Sequence, residues 1–263
     1  MADLRIAAAA SLVPSLEAMR NQLDTDHDIQ EVVIEAGSSG SLADLIINNQ
    51  LNVDVFFSAA EAPMEDLINE NLVNRADKTN LLRNSLVLIR NMVNKPATQN
   101  IISFGHVDAV NTANVRIFIP EPGYFNSTPY KVPAGIYAER AFNYFDNWGF
   151  AGLPAHRVND ATPPEAIFSV TNALNLIAGH GTAAIGTVYF TDAMTRRDDV
   201  EIIAIAPPTV NVDIIYPVAK LATTIAPPNV VTTFLNFITN PHPTQGGLHY
   251  FYDHGFLPLT SQN

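Results

Sequence analysis

The sequence predicts an α/β fold built around parallel β-sheet, and two patterns support this prediction. Short apolar segments typical of strands occupy residues 4–9, 32–35 and 53–58, and each is followed by residues with helical periodicity. The third segment is almost entirely apolar, as is common for parallel strands that are buried on both faces. Repeated strand–turn–helix units favour a sheet covered by helices, with any ligand beyond the carboxyl ends of the strands.

The helices that alternate with these strands are predicted from their start signals and their apolar spacing. Ser11 occupies the position of a helix N-cap, and apolar residues at helical spacing follow it as far as Leu23. A Gly-Ser-Ser-Gly turn at residues 37–40 precedes a second helix whose apolar face begins with Leu42. A third helix is expected at residues 64–70.

The remaining elements are predicted by the same criteria. Apolar runs predict strands at residues 86–89, 115–120, 184–190, 201–206 and 214–219. Helical spacing predicts helices that include residues 137–148 and 170–177, and the chain closes with an apolar segment at 230–238 and an aromatic segment at 248–256. Segments with strand or helix patterns therefore continue through the whole chain.

The composition indicates a globular protein with a core. Apolar residues make up 47% and charged residues 15% of the 263 residues, which does not suit a disordered chain. No apolar run approaches the ~20 residues that span a bilayer, and residues 1–4 lack the basic start of a signal peptide. The chain has no cysteine, which excludes disulfides, thiol catalysis and cysteine metal sites.

The charge and the motifs argue against two further classes of protein. The formal net charge of −12 disfavours an extended nucleic-acid surface, which needs clustered Lys and Arg. The chain contains no Gly-x-Ser-x-Gly elbow, no P-loop and no His-Glu-x-x-His zinc pair, so no catalytic residue or direct metal ligand is predicted. Scattered Asp and Glu residues leave an acidic-residue hydrolase as an alternative, although nothing selects a pair.

Two serine-containing turns are candidate anion sites. Ser11 follows a strand and opens a helix, and Ser38 and Ser39 lie in a glycine-flanked turn that does the same. Each turn offers a hydroxyl and unsatisfied backbone N–H groups at the positive end of a helix dipole. A lone serine at such a place is more often only a cap, but parallel strands bring both turns to one sheet edge, which favours a shared ligand.

Segments spread over nearly the whole chain carry a family resemblance. They are Ala-Ala-Ala-Ser-Leu at 8–12, Ala-Gly-Ser-Ser at 36–39, Asp-Val-Phe-Phe-Ser-Ala at 54–59, Leu-Leu-Arg-Asn-Ser-Leu-Val-Leu at 81–88, Val-Pro-Ala-Gly-Ile-Tyr-Ala at 132–138, Ile-Gly-Thr-Val-Tyr at 185–189, Thr-Asp-Ala at 191–193, Tyr-Pro-Val-Ala at 216–219 and His-Gly-Phe-Leu-Pro at 254–258. Together and in this order they resemble the solute-binding proteins of molybdate ABC importers.

The resemblance implies a two-lobed fold like that of periplasmic binding proteins, with a hinge and a ligand cleft between the lobes. The first lobe would combine residues 1–84 with 217–263, and the second would contain residues 85–216. The implied function is high-affinity binding of molybdate, and of tungstate, with delivery to the membrane subunits of an ABC importer. We expect a monomer without a cofactor, in the periplasm or another extracytoplasmic compartment.

In that family, two serine hydroxyls, two backbone N–H groups and a tyrosine hydroxyl hold the anion between the lobes. Carried over by motif, these groups are Ser11, Ser39, the N–H of Ala134, the N–H of Val170 and the hydroxyl of Tyr189. Ser39 is preferred over Ser38 because of its spacing to Leu42.

The second half of this set has structural alternatives. Ser169 could cap a helix that starts at Val170, whereas Pro163-Pro164 could start the helix earlier and bury the Val170 amide inside it. Tyr189 could be a core tyrosine whose hydroxyl is satisfied locally, and Ala134 could mark an ordinary helix start after a proline.

The predicted donors are all neutral, which bears on the choice of anion. Directed hydrogen bonds and helix dipoles can hold an anion without a countercharge. Molybdate, tungstate and sulfate carry no proton at neutral pH, whereas hydrogen phosphate would need an acceptor that this set lacks. Sulfate or another oxyanion remains an alternative ligand, and a cytoplasmic anion sensor an alternative role.

One insertion departs from the family pattern. Residues 123–131 directly precede the Ala134 motif and include Tyr124, Tyr130 and Lys131. A longer rim loop is the simpler interpretation, since loops tolerate insertions. The alternative is that one of these side chains reshapes the site or the surface that faces the transporter.

Overall fold

The chain forms two compact units. The computed structural model describes residues 2–26, 29–93, 95–109, 115–120, 133–145, 170–211 and 214–259. The first unit comprises Met1–Asn84 with Ile215–Asn263, and the second comprises Ser85–Ile214. The sequence placed the return to the first unit at residue 217. The chain returns two residues earlier, since Ile215 and Tyr216 already pair with Arg83 and Leu82 in the sheet of the first unit.

Helices and strands alternate along the described residues. The helices are α1 Val13–Asp26, α2 Ser39–Ile47, α3 Glu61–Asn69, α4 Pro133–Asn143, α5 Val170–Ala178, α6 Phe190–Thr195, α7 Pro208–Asn211, α8 Pro228–Thr239 and α9 Leu248–Asp253. The strands are β1 Ala2–Ala9, β2 Ile29–Gly37, β3 Val55–Phe57, β4 Thr79–Arg83, β5 Leu86–Asn91, β6 Val115–Phe118, β7 Ala183–Tyr189, β8 Val200–Ile205, β9 Ile215–Lys220 and β10 Leu257–Pro258. Among these residues, no helix combines the length and apolarity that crossing a membrane requires.

The sheet of the first unit mixes parallel and antiparallel strands. Its order is β10-β4-β9-β3-β1-β2. β1 runs parallel to β2 and β3, which confirms the prediction for the first three strands. β9 runs antiparallel to both β3 and β4, so the expectation of parallel sheet is wrong there. β9 enters this sheet from the second unit and not through a helical crossover, and nothing then requires it to run parallel.

The second unit has a smaller mixed sheet in the order β6-β7-β5-β8. β7 pairs in parallel with β6 and antiparallel with β5. Every residue of β7 is buried, as expected for a central strand. Tyr189 ends this strand and pairs with Leu86 at the start of β5.

α1 contributes one part of the core of the first unit, and α2 and α3 contribute another. Leu16, Met19 and Leu23 of α1 are at most 1% exposed, and so are Leu4 and Ile6 of β1. These positions follow the helical spacing that predicted α1. Truncating one such residue to alanine typically costs ~2–5 kcal/mol, so the packing of α1, which lies against β2 and α9, contributes to the stability of the first unit.

Element boundaries differ from the sequence prediction by a few residues. β3 spans Val55–Phe57 and not 53–58, and the residues on either side of it, Asp54 and Ser58, use their side chains to hydrogen-bond backbone groups. Asp54 accepts hydrogen bonds from the backbone of Ile225 and Ala226, and Ser58 Oγ donates to Ala60 O. α4 begins at Pro133, four residues before the predicted helical stretch, while Trp148 lies outside the described residues.

Candidate functional site

Three strand ends of the first unit lie side by side and carry the two predicted serine ligands. Ala9 at the end of β1 pairs with Gly37 at the end of β2, and Ala8 pairs with Phe57 at the end of β3. Ser11 and Ser39 each follow their strand by two residues. The parallel pairing therefore brings both serines to one edge of the sheet, as the sequence predicts.

Ser38 and Ser39 have different hydrogen-bond partners. Ser38 is the N-cap of α2: its Oγ accepts from Ser41 N at 3.3 Å and donates to Ser41 Oγ at 2.9 Å. Ser39 is buried, and its Oγ accepts from the backbone N–H of Ala59 at 2.8 Å. The hydrogen of Ser38 is thus already used, whereas no acceptor among the described residues takes the hydrogen of Ser39. Ser39 can donate to a ligand while its oxygen is held in place.

Ser11 is not a helix N-cap, so that prediction is wrong. It lies in the middle of a 3₁₀ helix, Ala10–Leu12, whose N-cap is Ala9 and which has no side-chain cap. The Ser11 hydroxyl instead contacts the hydroxyl of Tyr216 at 3.0 Å. The tight 3₁₀ turn between β1 and α1 aims this side chain at β9 and away from the helix backbone.

Tyr216 and Asn84 are residues of this site that the sequence did not single out. Asn84 Nδ2 donates to the Tyr216 hydroxyl at 3.1 Å, and both residues are buried. Both lie within segments used for the family resemblance, 81–88 and 216–219, but no role was assigned to them. Membership of those two segments was the sequence feature that could have pointed to a role for Tyr216 and Asn84 in the site.

Ala134 and Val170, whose backbone N–H groups are predicted ligand contacts, lie in the second unit. Ala134 is the second residue of α4, after Pro133, and Val170 is the first residue of α5. Amides in the first turn of a helix have no carbonyl of their own helix to bond. Residues 163–169 lie outside the described residues, so the alternative of an earlier start for α5 stays open.

Tyr189 is positioned by the packing of β7. It is 2% exposed and occupies the N-cap position of α6. Three residues earlier, a Cβ at Gly186 would overlap the backbone oxygen of Phe118 and lie 2.6 Å from Ile177 Cδ1. β7 therefore lies directly against β6 and α5, and this close packing fixes the strand that carries Tyr189 relative to the helix that carries Val170.

Asp192 is a buried carboxyl in the first turn of α6, three residues after Tyr189. Burial raises the pKa of Asp192 to about 7, and a hydrogen bond from its own backbone N–H opposes this only in part. Its Oδ2 has no hydrogen-bond partner among the described residues. The group is therefore partly protonated near neutral pH, which the sequence did not indicate.

The predicted ligand set divides between the two units and contains only neutral donors. The first unit holds Ser11 and Ser39, and the second holds Ala134, Val170 and Tyr189. All five are buried. Among the described residues, no cluster of three or more His, Asp or Glu side chains could hold a metal ion. The set thus consists of hydroxyl and backbone N–H groups, which are the kinds of donor that hydrogen-bond the oxygens of an anion.

The insertion at residues 123–131 lies outside the described residues. The structural roles of Tyr124, Tyr130 and Lys131 therefore remain those considered from the sequence, a rim loop or a contribution to the site.

A family model supports the resemblance inferred from the motifs. The model of the bacterial extracellular solute-binding proteins matches residues 4–246. A Bacillus subtilis lipoprotein, YvgL, named as an ABC transporter substrate-binding protein, is 27% identical over 216 residues, which cover 81% of this chain and 72% of the relative. The molybdate-binding protein ModA of Haemophilus influenzae is 26% identical over 218 residues, which cover 83% of this chain and 78% of ModA.

A solved structure supports the fold. The periplasmic molybdate-binding protein of Azotobacter vinelandii superposes with a TM-score of 0.71 and 20% identity, covering 98% of this chain and 100% of that protein. An identity this low supports a shared fold and leaves the ligand to be argued from the residues of the site. The α/β architecture, with one sheet in each of two units, is thus that of a periplasmic binding protein.

Proposed function

Because the chain belongs to the family of bacterial extracellular solute-binding proteins, we propose that it binds molybdate, and tungstate as a second ligand, and delivers the anion to an ABC importer. The membrane subunits of that importer are its proposed partners, and a monomer outside the cytoplasm is the proposed form. The family is one of binding proteins and not of enzymes. ModA of Haemophilus influenzae, aligned over most of both chains, supports molybdate as the ligand.

The observation that carries this proposal is the state of the Ser39 hydroxyl. Its oxygen accepts from Ala59 N at 2.8 Å, so its hydrogen points elsewhere. A buried hydroxyl that is fixed by a backbone donor and left with one hydrogen to give suits a ligand that only accepts. A fully deprotonated oxyanion is such a ligand.

The remaining proposed contacts are of the same kind. Ser11 and Tyr189 contribute hydroxyls, and Ala134 and Val170 contribute backbone N–H groups at the described starts of α4 and α5. Hydrogen bonds to a charged acceptor are worth about 1.5–3 kcal/mol each. Five such bonds support tight binding without a lysine or arginine.

The donor set also explains which anions are favoured. Molybdate, tungstate and sulfate offer only acceptors at neutral pH, whereas hydrogen phosphate would direct its proton at a donor. Molybdate and tungstate are larger than sulfate, so the separation of the donors decides between these dianions. The net charge of −12 does not attract a dianion, and we expect it to slow association at low ionic strength.

Calorimetric titration of molybdate, tungstate, sulfate and phosphate tests the proposal, with Ser39→Ala as the variant and Ser38→Ala as its matched control. The two serines are adjacent, but Ser38 uses its hydroxyl to cap α2. We expect Ser39→Ala to weaken molybdate binding by ~10–100-fold, the loss of one charge-assisted bond. We expect Ser38→Ala to lower stability by ~1 kcal/mol while changing affinity little.

Two results would contradict the proposal. One is a folded wild-type protein that binds neither molybdate nor tungstate. The other is tighter binding of sulfate than of molybdate, which would leave the family role intact and change the ligand.

A further inference from the structure

The hydroxyl of Tyr216 joins a proposed anion contact to a buried amide within the first unit. Ser11 Oγ lies 3.0 Å from the Tyr216 hydroxyl oxygen, and Asn84 Nδ2 donates to the same oxygen at 3.1 Å. Tyr216 and Asn84 are at most 1% exposed, so bulk water does not compete for these bonds. The three groups form a short hydrogen-bond chain that ends at Ser11.

The direction of this chain follows from what each group can donate. A side-chain amide NH₂ only donates, so the Tyr216 oxygen accepts from Asn84. The Ser11 hydroxyl carries one hydrogen, which can go to Tyr216 or to a ligand but not to both. When Ser11 donates to an anion, Tyr216 must donate to Ser11 if their contact is to remain a hydrogen bond. All three groups then donate towards the anion.

We infer that Tyr216 is a positioning residue, which holds Ser11 as a hydrogen-bond donor towards the bound ligand, and that Asn84 sets the orientation of Tyr216. This rests on the proposed function, since it takes Ser11 as a ligand contact. Hydrogen bonds that donate in series polarise one another, so the bond from Ser11 is stronger than that of an isolated serine. The hydrogen-bond chain thereby selects a ligand that presents a proton-free oxygen to Ser11.

The ring of Tyr216 is held independently of its hydroxyl. The backbone of Tyr216 pairs with Leu82 of β4. Its ring meets Phe256 edge-on, with centroids 5.1 Å apart, and Phe256 packs in turn on Phe251. Replacing Tyr216 by phenylalanine keeps this packing and removes only the hydroxyl, so it is a specific probe of the hydrogen-bond chain.

A double-mutant cycle on molybdate binding tests the inference, using wild type, Ser11→Ala, Tyr216→Phe and the double variant. We expect Tyr216→Phe to weaken binding ~5–10-fold in the wild-type background, about the value of one buried hydrogen bond. In the Ser11→Ala background it should have little effect, because no hydroxyl is left to position. In a Ser39→Ala background its full effect should remain.

The control is Tyr250→Phe, whose hydroxyl donates to Gln22 at 3.1 Å elsewhere in the first unit and which should leave the affinity unchanged. Calorimetry measures the tighter variants. For the weaker ones, the rise in melting temperature at millimolar molybdate gives the same dissociation constant.

The outcomes separate this inference from the proposed function. If the wild type binds molybdate and Tyr216→Phe weakens binding equally in the wild-type and Ser11→Ala backgrounds, the inference is overturned and the proposed function stands. Wild-type binding that Tyr216→Phe does not weaken would do the same. A wild-type protein that binds no oxyanion would overturn both.

Discussion

Asp54 accepts a hydrogen bond from the backbone N–H of Ala226 at 2.8 Å, across 172 positions of the sequence. The same carboxylate oxygen accepts from Thr224 Oγ1 and Ile225 N, and the other oxygen accepts from Arg5 N at 2.9 Å. Asp54 therefore ties β1 and the start of β3 to the segment that follows β9. β1 leads to Ser11, and β3 pairs with β1 beside it.

Asp54→Asn should destabilise the first unit. Whichever way the asparagine amide is turned, its NH₂ group faces a backbone N–H that now lacks an acceptor, and the expected loss is ~2–3 kcal/mol. Burial alone would raise the pKa of Asp54, but the hydrogen bonds from Thr224, Ala226, Arg5 and Ile225 outweigh burial and lower it. A lowered folded-state pKa contributes stability above the unfolded pKa of ~3.9, and this is lost as the pH falls through the folded pKa.

Urea unfolding at pH 7 and at pH 3–4 measures both effects. The variant should lose stability at pH 7 and should show a weaker acid dependence than wild type. Asp77→Asn is the control, because Asp77 makes only a partly exposed ion pair with Lys220, 3.2 Å long, and should change stability little. A variant as stable as wild type at pH 7 would show that Asp54 does not fasten these segments.

The sequence was sufficient to predict the features that depend on local patterns. Short apolar segments identified β1, β2 and β3, helical spacing identified the helices between them, and the Gly-Ser-Ser-Gly turn identified the start of α2. The parallel pairing of β1 with β2 then placed Ser11 and Ser39 at one edge. This placement succeeded because β1 and β2, which are consecutive strands along the chain, are also neighbours in the sheet.

The features that the sequence missed depend on contacts between distant segments. Ser11 and Tyr216 are 205 positions apart in the sequence. A local pattern therefore predicts a helix cap at Ser11 and gives no sign of its contact with a distant tyrosine. The antiparallel direction of β9 follows from the route of the chain through the second unit. The raised pKa of Asp192 depends on burial, which the Thr-Asp-Ala motif alone does not reveal.

Gly186→Ala should destabilise the second unit. The added methyl group would overlap the backbone oxygen of Phe118 and lie 2.6 Å from Ile177 Cδ1, so β6 and α5 would have to move away from β7. Overpacking of this kind costs ~1–3 kcal/mol, and more where backbone must shift. Thermal unfolding together with hydrogen exchange of β7 amides measures the loss and locates it.

Gly181→Ala is the matched control, since a Cβ at Gly181 has no atom within 4 Å. It should leave the melting temperature unchanged or raise it slightly, because alanine restricts the unfolded chain. If the two alanine variants melted at the same temperature, the close approach of β7 to β6 and α5 would not limit the size of residue 186.

Asp192→Asn should change how stability depends on pH. Burial raises the folded-state pKa of Asp192 to about 7, well above the unfolded value of ~3.9. The protonated form therefore favours folding: this contribution is fully present below pH ~4 and is lost as the pH rises to about 7. Asparagine does not titrate, so the variant should gain stability relative to wild type between pH 4 and pH 7.

The melting temperatures of both proteins, recorded from pH 4 to pH 8, measure this difference. Its slope is the informative quantity, because the asparagine amide also loses or gains hydrogen bonds by an amount that does not depend on pH. Asp199→Asn serves as the control, since Asp199 is an exposed residue that pairs with Arg196. A stability difference between Asp192→Asn and wild type that is the same at pH 5 and pH 8 would mean that Asp192 is ionised in the folded protein, and that its surroundings solvate the charge.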